Sequence, residues 1–496
     1  MLPAREARGD LRCSEHMLFM SDPLRQLRRC QFLATLAAGL LAFSAMAAEH
    51  RVSSATEISK ISPGLKPGDT VVLKDGNWQD QTILFDARGT SQNPVTLRAE
   101  TPGKVVLTGK SSVKIAGEYV VVSGLNITNG HTATDGILIT GQHCRLTESS
   151  VTDSTYKFFV HLDGWENRVD HCYLAGKTSE SPTFQVEVGS KPNHHLVQHN
   201  HFGPRPPLGR NGGETMRVGY SWQSMSNSST TVEYNLFDRC DGELEIISSK
   251  SCDNVYKHNT FLDCAGTLTL RHGNRCRVEG NFFIAHHKRG AGGIRIIGED
   301  HVIVNNYIEG VAQGAFWITS GIVESPLKGY FQARNALIAF NTVVDSAGPY
   351  LDLSAGIGSA NRTLLPENIT VANNVFVLPE GGVLLKGRQT DSYHWQNNFA
   401  WFSGAGAPKL PNGIRSEEPK LHRGADGLMR PDSDSPLRKA GAAVKGVAVA
   451  YDIDGQSRVG PLDVGCDQIS NEPAINHPLT AGETGPSWLK RERAKP

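Results

Sequence analysis

The sequence predicts an all-β protein, a right-handed parallel β-helix with a short N-terminal helical cap and an irregular C-terminal tail. Three observations support this fold class. A phrase centred on asparagine recurs roughly every 24 residues, short apolar–polar alternations replace long helical periods, and glycine is abundant, at 51 of 496 residues. A repeat of this length without a helix cannot bury its apolar face alone, so successive copies must stack strand on strand.

The recurring phrase is an apolar residue, two variable residues, Asn, one further residue and an aromatic or aliphatic residue. Asn235, Asn259, Asn281 and Asn305 follow one another at spacings of 24, 22 and 24 residues. Asn at the same turn of successive coils predicts a ladder of side-chain hydrogen bonds along the solenoid. Related phrases extend the repeat, with longer gaps that indicate inserted loops, at residues 197–202, 338–343, 371–376 and 397–399.

Four cysteines, Cys240, Cys252, Cys264 and Cys276, lie 12 residues apart, which is half the repeat. Cys240 is therefore expected to stack on Cys264, and Cys252 on Cys276, in two interior columns. Export permits disulfides, but cysteine is among the most buried residue types without them, so buried free thiols are predicted. Successive cysteines fall on different sides of a coil, which argues against a zinc site.

Residues 1–47 have the pattern of a secretory signal. An arginine-containing stretch precedes an apolar run that ends in Ala45-Met46-Ala47, a small-x-small cleavage site. Met20 would give a leader of ordinary length, with residues 1–19 then a misassigned start. We therefore expect export to the periplasm or the extracellular space.

Behind this leader, the β-helix domain is predicted over residues 48–402. Residues 54–62 have the pattern of a short amphipathic helix that covers the N-terminal end of the solenoid. The repeat stops near residue 403. Residues 403–496 are rich in Pro, Gly and charge, which predicts an irregular cap and tail with its last 20 residues loosely held.

Composition excludes several classes of protein. Lys+Arg and Asp+Glu both number 50 and hydrophobic residues make up 39%, which fits neither a disordered polyelectrolyte nor a multispan membrane protein. After the leader, no window reaches about 18 uncharged apolar residues, so no membrane association is expected once the signal is cleaved. Nucleic acid is not an expected partner, because exposed aromatic residues are scarce. The sequence does not specify an oligomeric state.

A group of charged motifs is in register with the repeat. Glu243-Leu244-Glu245 places two carboxylates at i and i+2, which on a strand point to one face while Leu244 and Ile246 point inward. Lys250 follows a Ser-Ser turn, and Arg271-His272 comes 21 residues later, close to one coil. Each motif alone is more often a solvated face or an ordinary ion pair. Their common register favours a shared functional patch.

An insertion at residues 209–214 precedes these motifs and is rich in glycine. It is expected to bring Asn211 over Glu243 and Glu245. Oxygen ligands from carboxylates and an amide suit Ca²⁺ better than Zn²⁺. The segment from Arg271 onward is expected to form a basic patch that would attract a polyanionic sugar. Its members are Arg271, Arg275, Arg277, Lys288, Arg289 and Arg295.

The stretches 243–252 (ELEIISSKSC) and 268–274 (LTLRHGN) resemble the core of polysaccharide lyase family six, which contains chondroitinase B and many alginate lyases. The resemblance covers most of residues 50–400 and shows no departure at the catalytic positions. Three further segments extend it, at residues 66–70, 211–215 and 293–298.

The resemblance implies Ca²⁺-assisted cleavage of an anionic uronate polysaccharide by β-elimination. By position, Asn211, Glu243 and Glu245 are expected to hold Ca²⁺, Lys250 to be the base and Arg271 to serve the leaving oxygen. The side chains expected to bind substrate are Glu214, Arg217, His272 and Arg295.

Three functions remain open from the sequence. An alginate lyase, producing 4,5-unsaturated uronate ends, is favoured because this activity is frequent in the family. A chondroitinase-B-like lyase acting on dermatan sulfate would be expected to have extra arginines in the cleft, where Arg295 and Arg362 are candidates. The third function is a non-catalytic β-helix carbohydrate-binding protein or a glycosidase that uses Glu243 and Glu245. The neighbouring Lys and Arg suit an elimination better than glycoside hydrolysis. Mannuronate or guluronate preference and endo or exo action are not specified.

Overall fold

The computed structural model describes residues 47–404 and 408–493. Residues from Ala47 onward belong to one compact unit. The predicted leader lies outside the described residues except for Ala47, so it stays a prediction. Within the described part of the chain, no helix is both long and apolar enough to span a bilayer.

Three parallel sheets wind around a common core, which confirms the predicted right-handed parallel β-helix. Each full coil adds one short strand to sheets A, B and C in turn, and neighbouring strands within a sheet come from successive coils. Sheets A and B have 14 strands each and sheet C has 12. A separate antiparallel pair, Leu421–Arg423 with Met429–Pro431, lies in the tail.

The strands of sheet A are Glu49–Val52, Thr70–Leu73, Val95–Ala99, Val120–Ser123, Arg145–Thr147, Arg168–Asp170, Leu196–Gln198, Thr231–Glu233, Val255–Lys257, Arg277–Glu279, Val302–Val304, Leu337–Ala339, Ile369–Ala372 and Tyr393–Gln396. The strands of sheet B are Gly76–Gln79, Val105–Gly109, Leu125–Gly130, Ser150–Thr152, Tyr173–Ala175, His201–Phe202, Leu236–Asp238, Thr260–Leu262, Phe282–Ile284, Tyr307–Glu309, Thr342–Val344, Val375–Leu378, Asn398–Phe402 and Ile414–Arg415. The strands of sheet C are Thr82–Arg88, Ser112–Glu118, Ile137–Ile139, Val160–Leu162, Phe184–Val186, Met216–Val218, Glu245–Lys250, Thr267–His272, Ile294–Ile296, Phe316–Thr319, Leu351–Ala355 and Leu385–Lys386.

A buried asparagine ladder joins the coils at the turn between sheets A and B. From Asn235 onward, each Oδ1 accepts the backbone N–H and the side-chain N–H of the asparagine one coil earlier, at 2.9–3.0 Å. This satisfies polar groups that are otherwise costly to bury. The ladder comprises Asn200, Asn235, Asn259, Asn281, Asn306, Asn341, Asn374 and Asn398.

One ladder position differs from the prediction, because Asn306 and not Asn305 continues it. Asn281 donates to Asn306 Oδ1, a step of 25 residues. Asn305 occupies the preceding turn position with a φ of +56°, and its side chain donates to Tyr451 O in the tail at 2.6 Å. The 24-residue spacing favoured Asn305, but the repeat phrase counted from Ile303 places its asparagine at Asn306, and Asn305 takes the positive φ of the turn.

All seven cysteines of the described chain are buried free thiols, as predicted. The Cys240–Cys264 column is confirmed, because the Cys240 N–H donates to Cys264 Sγ at 3.3 Å. The Cys252–Cys276 column is wrong. That coil is 22 residues long, since Val255 pairs with Arg277, so the Asn274 N–H meets Cys252 Sγ instead.

The N-terminal cap is confirmed as the helix Ala55–Ile61, followed by the 3₁₀ turn Ser62–Gly64. Ser54 Oγ accepts the N–H of Glu57, which caps the first turn. Ile58 is buried in the main core. The strand Glu49–Val52 ahead of it extends sheet A and was not predicted.

The tail covers the outer side of sheet B. Phe282, Tyr307 and Val344 face outward from that sheet, and they are buried under Leu428, Ile453 and other tail residues. Without this cover, three large apolar side chains would face water. The tail thus completes the fold on a side remote from sheet C.

The end of the tail is held more firmly than the sequence predicted. Parallel pairing continues to Ile414–Arg415, and the chain ends in the helix Ser487–Arg493. The Gly485 N–H donates to His199 O, and Trp488 Nε1 donates to Glu148 O at 2.8 Å. The expectation of a loose end is therefore wrong for residues 477–490.

Candidate active site

The outward side chains of sheet C form a polar column across successive coils. Strand pairing aligns Arg217 with Ser248, Ser248 with Thr269, Thr269 with Arg295, and Arg295 with Trp317. Because side chains alternate between the two faces of a strand, these residues share one face. Sheet C therefore presents a polar surface on which the predicted site residues can meet.

Three carboxylates gather where the strands of this face begin. One oxygen from each of Glu214, Glu243 and Glu245 lies within 4.8 Å of the others. Glu214 is only 2% exposed, and its Oε2 and Glu243 Oε1 are buried without a hydrogen-bond partner. Burial, followed by the negative charges of Glu214 and Glu245, raises the pKa of Glu243 to about 8. The cluster therefore has an excess of negative charge that a cation would relieve.

The local backbone around the acidic pair differs from the predicted regular strand. Glu243 precedes the strand, which begins at Glu245, and the pairing register shifts between Glu245 and Ile247. Leu244 is 39% exposed instead of buried, whereas Ile246 is buried as expected. The Ser-Ser pair before Lys250 lies within the strand and does not form a turn. A bulge of this kind redirects side chains, so Glu243 and Glu245 converge although the alternation is broken.

Lys250 and Arg271 flank the carboxylates from neighbouring strands. Lys250 Nζ is 3.6 Å from Glu214 Oε1, and Arg271 Nε is 3.9 Å from Glu245 Oε1. Lys250 pairs in register with His272, next to Arg271. The predicted proximity of Lys250, Arg271 and the glutamates is therefore observed.

Two more arginines complete a ring of positive charge. Arg217 Nη1 is 3.7 Å from Glu214 Oε1, and Arg295 Nη1 is 3.7 Å from Glu245 Oε1. These separations are longer than N–H···O hydrogen bonds. The cations therefore attract the carboxylates electrostatically without occupying their lone pairs.

The insertion at residues 209–214 contacts the backbone that precedes the acidic pair. A Cβ on Gly213 would come within 2.3 Å of Gly242 O, so the two backbones are in close contact. Asn211 is exposed, and no hydrogen bond of its side chain to either glutamate is found among the described residues. The structure adds Glu214, expected to bind substrate, to the acidic cluster, and the role of Asn211 stays a prediction.

Arg205 supports this cluster from beneath, and no sequence pattern had indicated it. It is 2% exposed and donates to the backbone carbonyls of Glu214, Ser179 and Ser181. Burial lowers the pKa of Arg205 to about 10 despite the attraction of Glu214. Arg205 thus ties the Glu214 segment to a neighbouring loop and places a buried positive charge below the carboxylates.

A loop after the strand Phe316–Thr319 covers the Arg271 side of the site. Arg271 Nη1 donates to Gly329 O at 2.8 Å. Its guanidinium carbon lies 4.2 Å from the centre of the Tyr330 ring, and that of Arg362 lies 4.5 Å from it. Tyr330 was not singled out in the sequence, because its loop is separated from Arg271 by two coils.

His272 is completely buried beside Arg271. Burial, with the positive charges of Arg271 and Lys250, lowers the pKa of His272 to about 2, so the ring is neutral. Its Nδ1 lies 3.4 Å from Arg271 Nη1. In this position, His272 is better placed to hold Arg271 than to touch a polymer. Because His272 is buried, its exposure does not support the predicted role in binding substrate.

The predicted basic patch is wrong for three of its six members. Arg275 is bonded to Asp253, Arg277 to Glu279 and Lys288 to Asp241. Arg277 lies on sheet A, not on the face that carries the carboxylates. Sequence neighbours alternate around the solenoid, so charges that are close in sequence become dispersed. Arg271 and Arg295 remain at the site.

The carboxylate cluster fits a hard divalent cation. Its donors are all oxygens, and two of them are buried and unpartnered. Glu214, Glu243 and Glu245 could each contribute an oxygen to one ion.

Comparisons with known proteins identify the family of the chain. The chondroitinase B family model matches residues 52–434. Among solved structures, the family 6 alginate lyase AlyGC is 32% identical with a TM-score of 0.76, over 89% of this chain and 59% of that chain. A mannuronic-acid-specific family 6 lyase from human gut microbiota is 33% identical with a TM-score of 0.68, over 75% of this chain and 91% of that chain.

A family 6 polysaccharide lyase from Pseudopedobacter saltans, 24% identical with a TM-score of 0.70 over 88% of this chain and 99% of that chain, supports the fold alone. A search of curated proteins gave no significant match. The chain spans about three fifths of the length of AlyGC, at 59%. The family model, in contrast, covers well over half of the present chain. This chain therefore belongs to the chondroitinase B family, polysaccharide lyase family six.

Proposed function

We propose that this chain is a Ca²⁺-dependent lyase that cleaves alginate by β-elimination and leaves 4,5-unsaturated uronate ends. One observation carries the proposal: Lys250 and Arg271 flank a carboxylate cluster that has unpartnered oxygens. The names of two relatives, an alginate lyase and a mannuronic-acid-specific lyase, support the choice of polymer.

The side chains match the charges that such an elimination creates. The C5 proton of a uronate is a weak acid, and its removal builds negative charge on the adjoining carboxylate. Lys250 in its neutral form accepts that proton at Nζ, and Arg271 stabilises the oxygen that leaves C4. A guanidinium hardly ever gives up a proton, so water protonates the leaving oxygen.

Glu243 and Glu245, together with Glu214 and the predicted ligand Asn211, would hold Ca²⁺. Bound there, the ion supplies positive charge that stabilises the uronate carboxylate as negative charge builds. Ca²⁺ suits a set of carboxylate and amide oxygens.

Arg217 and Arg295 are positioned to orient the polymer. They lie on the outward face of sheet C on either side of Ser248 and Thr269. Arg217 Nε donates to Gln185 Oε1 at 2.7 Å, which restrains the guanidinium. Planar guanidinium groups bind carboxylates through two parallel hydrogen bonds, so the two arginines can hold uronates along the cleft.

Dermatan sulfate is the second candidate substrate, and Arg362 supports it. This residue joins Arg271 and Arg295 around the Tyr330 ring. A third guanidinium offers a partner for a sulfate, a group that alginate lacks.

We also propose that the protein is exported to the periplasm or the extracellular space, on the basis of the leader pattern in residues 1–47. A uronate polymer would be met there.

The test is incubation of the mature chain with alginate and with dermatan sulfate, followed by the ultraviolet absorbance of the enoate product. We expect the absorbance to rise with alginate. If the absorbance rises with dermatan sulfate alone, dermatan sulfate replaces alginate as the proposed substrate. If it rises with no uronate polymer, the lyase assignment is contradicted.

Lys250→Ala tests the base in the same assay. General base catalysis contributes about 10²- to 10⁴-fold, so turnover should fall within that range while the melting temperature is kept. Lys257→Ala is the matched control, because Lys257 pairs with Glu233 on sheet A. Near-normal turnover in folded Lys250→Ala would move the base elsewhere.

A further inference from the structure

An exposed aromatic stack borders the candidate site beside Lys250. A Cβ on Gly219 would lie 2.9 Å from Lys250 O, so the two backbones are in contact. The chain then turns through the 3₁₀ helix Ser221–Gln223. The Trp222 ring is stacked on Tyr220, with centres 4.3 Å apart and planes at 11°, and Trp222 remains 58% exposed.

This stack is held in place from behind. The Arg217 guanidinium lies 4.4 Å from the centre of the Tyr220 ring, and Arg217 is itself bonded to Gln185. Gln223 anchors the turn, because its Nε2 donates to Glu187 Oε1 and its Oε1 accepts the Tyr220 N–H. A ring fixed in this way loses little conformational entropy when a ligand packs against it.

Several exposed apolar side chains lie on segments that adjoin the site residues. Eleven large apolar residues are exposed in the described chain. Five of them lie either on the segments that border the carboxylates and Lys250 or on the loop over Arg271. These five are Trp222, Met225, Leu244, Val323 and Leu327. Exposed apolar patches mark binding surfaces, and tryptophan is enriched among the residues that dominate binding energy. A pyranose ring offers a C–H face that can pack on such an aromatic surface.

We propose that Trp222 is the platform on which one pyranose ring of the uronate polymer stacks, next to Lys250 on the side of Arg217. This assignment rests on the proposed function. Tyr330 lies on the opposite side, against Arg271, so the two aromatic groups bracket the reacting residues. Trp222 fixes the position of the chain along the cleft while the arginines engage its carboxylates.

Steady-state kinetics on uronate oligomers test the platform. Stacking is made equally in the bound and transition states, so its loss raises KM and leaves kcat nearly constant. We expect KM to rise about tenfold in Trp222→Ala and about threefold in Trp222→Phe, with kcat within about twofold. Tyr451→Ala is the control, because Tyr451 is an exposed aromatic residue of the tail, at 60% exposure, and its KM should not change.

Tryptophan fluorescence supplies a readout that does not need turnover. In a Lys250→Ala background, titration with an uncleaved uronate oligomer should change the emission, and Trp222→Phe should abolish most of that change. Cleavage by the wild type with an unchanged KM in Trp222→Ala overturns the platform and leaves the lyase assignment intact. A wild-type chain that neither binds nor cleaves uronate oligomers overturns both. An altered sedimentation coefficient in Trp222→Ala with an unchanged KM would assign the ring to a contact between protein chains.

Discussion

Two groups of three carboxylates lie in the described chain, one on sheet C and one in the tail. Glu243 and Glu245 are joined by Glu214, whereas Asp452 and Asp454 are joined by Asp467; in both groups the oxygens lie within 4.8 Å of one another. Both groups contain an acidic pair at i and i+2. By spacing and composition they are equivalent.

Their hydrogen bonding is different. In the tail, Arg430 Nη1 donates to Asp454 at 2.7 Å and to Asp467 at 3.0 Å. The Asp452 oxygens accept the backbone N–H groups of Gln456 and Gln468. Donors from the protein itself therefore bind the tail carboxylates. We call this group, Asp452, Asp454 and Asp467 with Arg430, a structural clasp.

On sheet C, the nearest cations stay farther away. Lys250 and Arg271 approach the glutamates at 3.6 and 3.9 Å, and two carboxylate oxygens are left buried and unpartnered. Buried polar groups without partners are rare because they are costly. The donors around an acidic group, and not its spacing, therefore determine whether its carboxylates are already paired or still have unpartnered oxygens.

The largest expected effect comes from removing charge on sheet C. The double substitution Glu243→Gln and Glu245→Gln should lower turnover by about 10³-fold or more, about 4 kcal/mol of transition-state free energy, because the cation can no longer be held. Initial rates on alginate check this. The matched change in the tail, Asp467→Asn, should keep the rate in folded protein; equal losses in both would erase the distinction.

The tail is expected to respond in stability instead. Arg430→Met leaves buried carboxylates without their partner, so the free energy of unfolding should fall by about 3–5 kcal/mol. Denaturant unfolding measures this, with Arg438→Met as the control because the only side-chain hydrogen bond found for Arg438 in the described chain is an exposed one, to Ser433 O. The rate per folded molecule should not change. A drop below 1 kcal/mol would mean that the tail clasp contributes little.

Added Ca²⁺ should stabilise the protein through sheet C alone. At 100 times its Kd, a ligand that binds only the folded state adds about 2.7 kcal/mol. Chelator-treated protein should therefore lose activity and melt at lower temperature, and Ca²⁺ should restore both. Glu243→Gln should abolish the thermal shift, whereas Asp454→Asn should retain it. Full activity in metal-free protein would contradict the Ca²⁺ assignment.

The smallest effect concerns pH. Burial raises the pKa of Asp454 to about 6, above the ordinary value near 3.9. The folded state thus holds this proton more tightly, and the resulting stability is present below about pH 4 and lost as the pH rises through about 6. Between these pH values, the wild type should lose about 2 kcal/mol more of its free energy of unfolding than Asp454→Asn. Parallel pH profiles from denaturant melts would argue against this titration.

Local features of the sequence are sufficient to predict the repeat and many of the residues that meet at the candidate site. Period and alternation are local properties of the chain, and coil length sets which positions stack. For this reason the β-helix, most of the asparagine ladder, and the meeting of Lys250 and Arg271 with Glu243 and Glu245 could be predicted. The even spacing misplaced one asparagine, because the step from Asn281 to Asn306 is 25 residues and not 24.

Which carboxylates are paired with positive charges depends on contacts that form only in the folded chain. Arg205 reaches the site through the interior of the coil, Tyr330 reaches it from a loop two coils away, and Arg430 closes the tail carboxylates. The free energy of a charge depends on burial and on donors brought from distant segments. Glu243-x-Glu245 and Asp452-x-Asp454 look alike in the sequence because those donors are not encoded next to them; the folded coil and tail supply them.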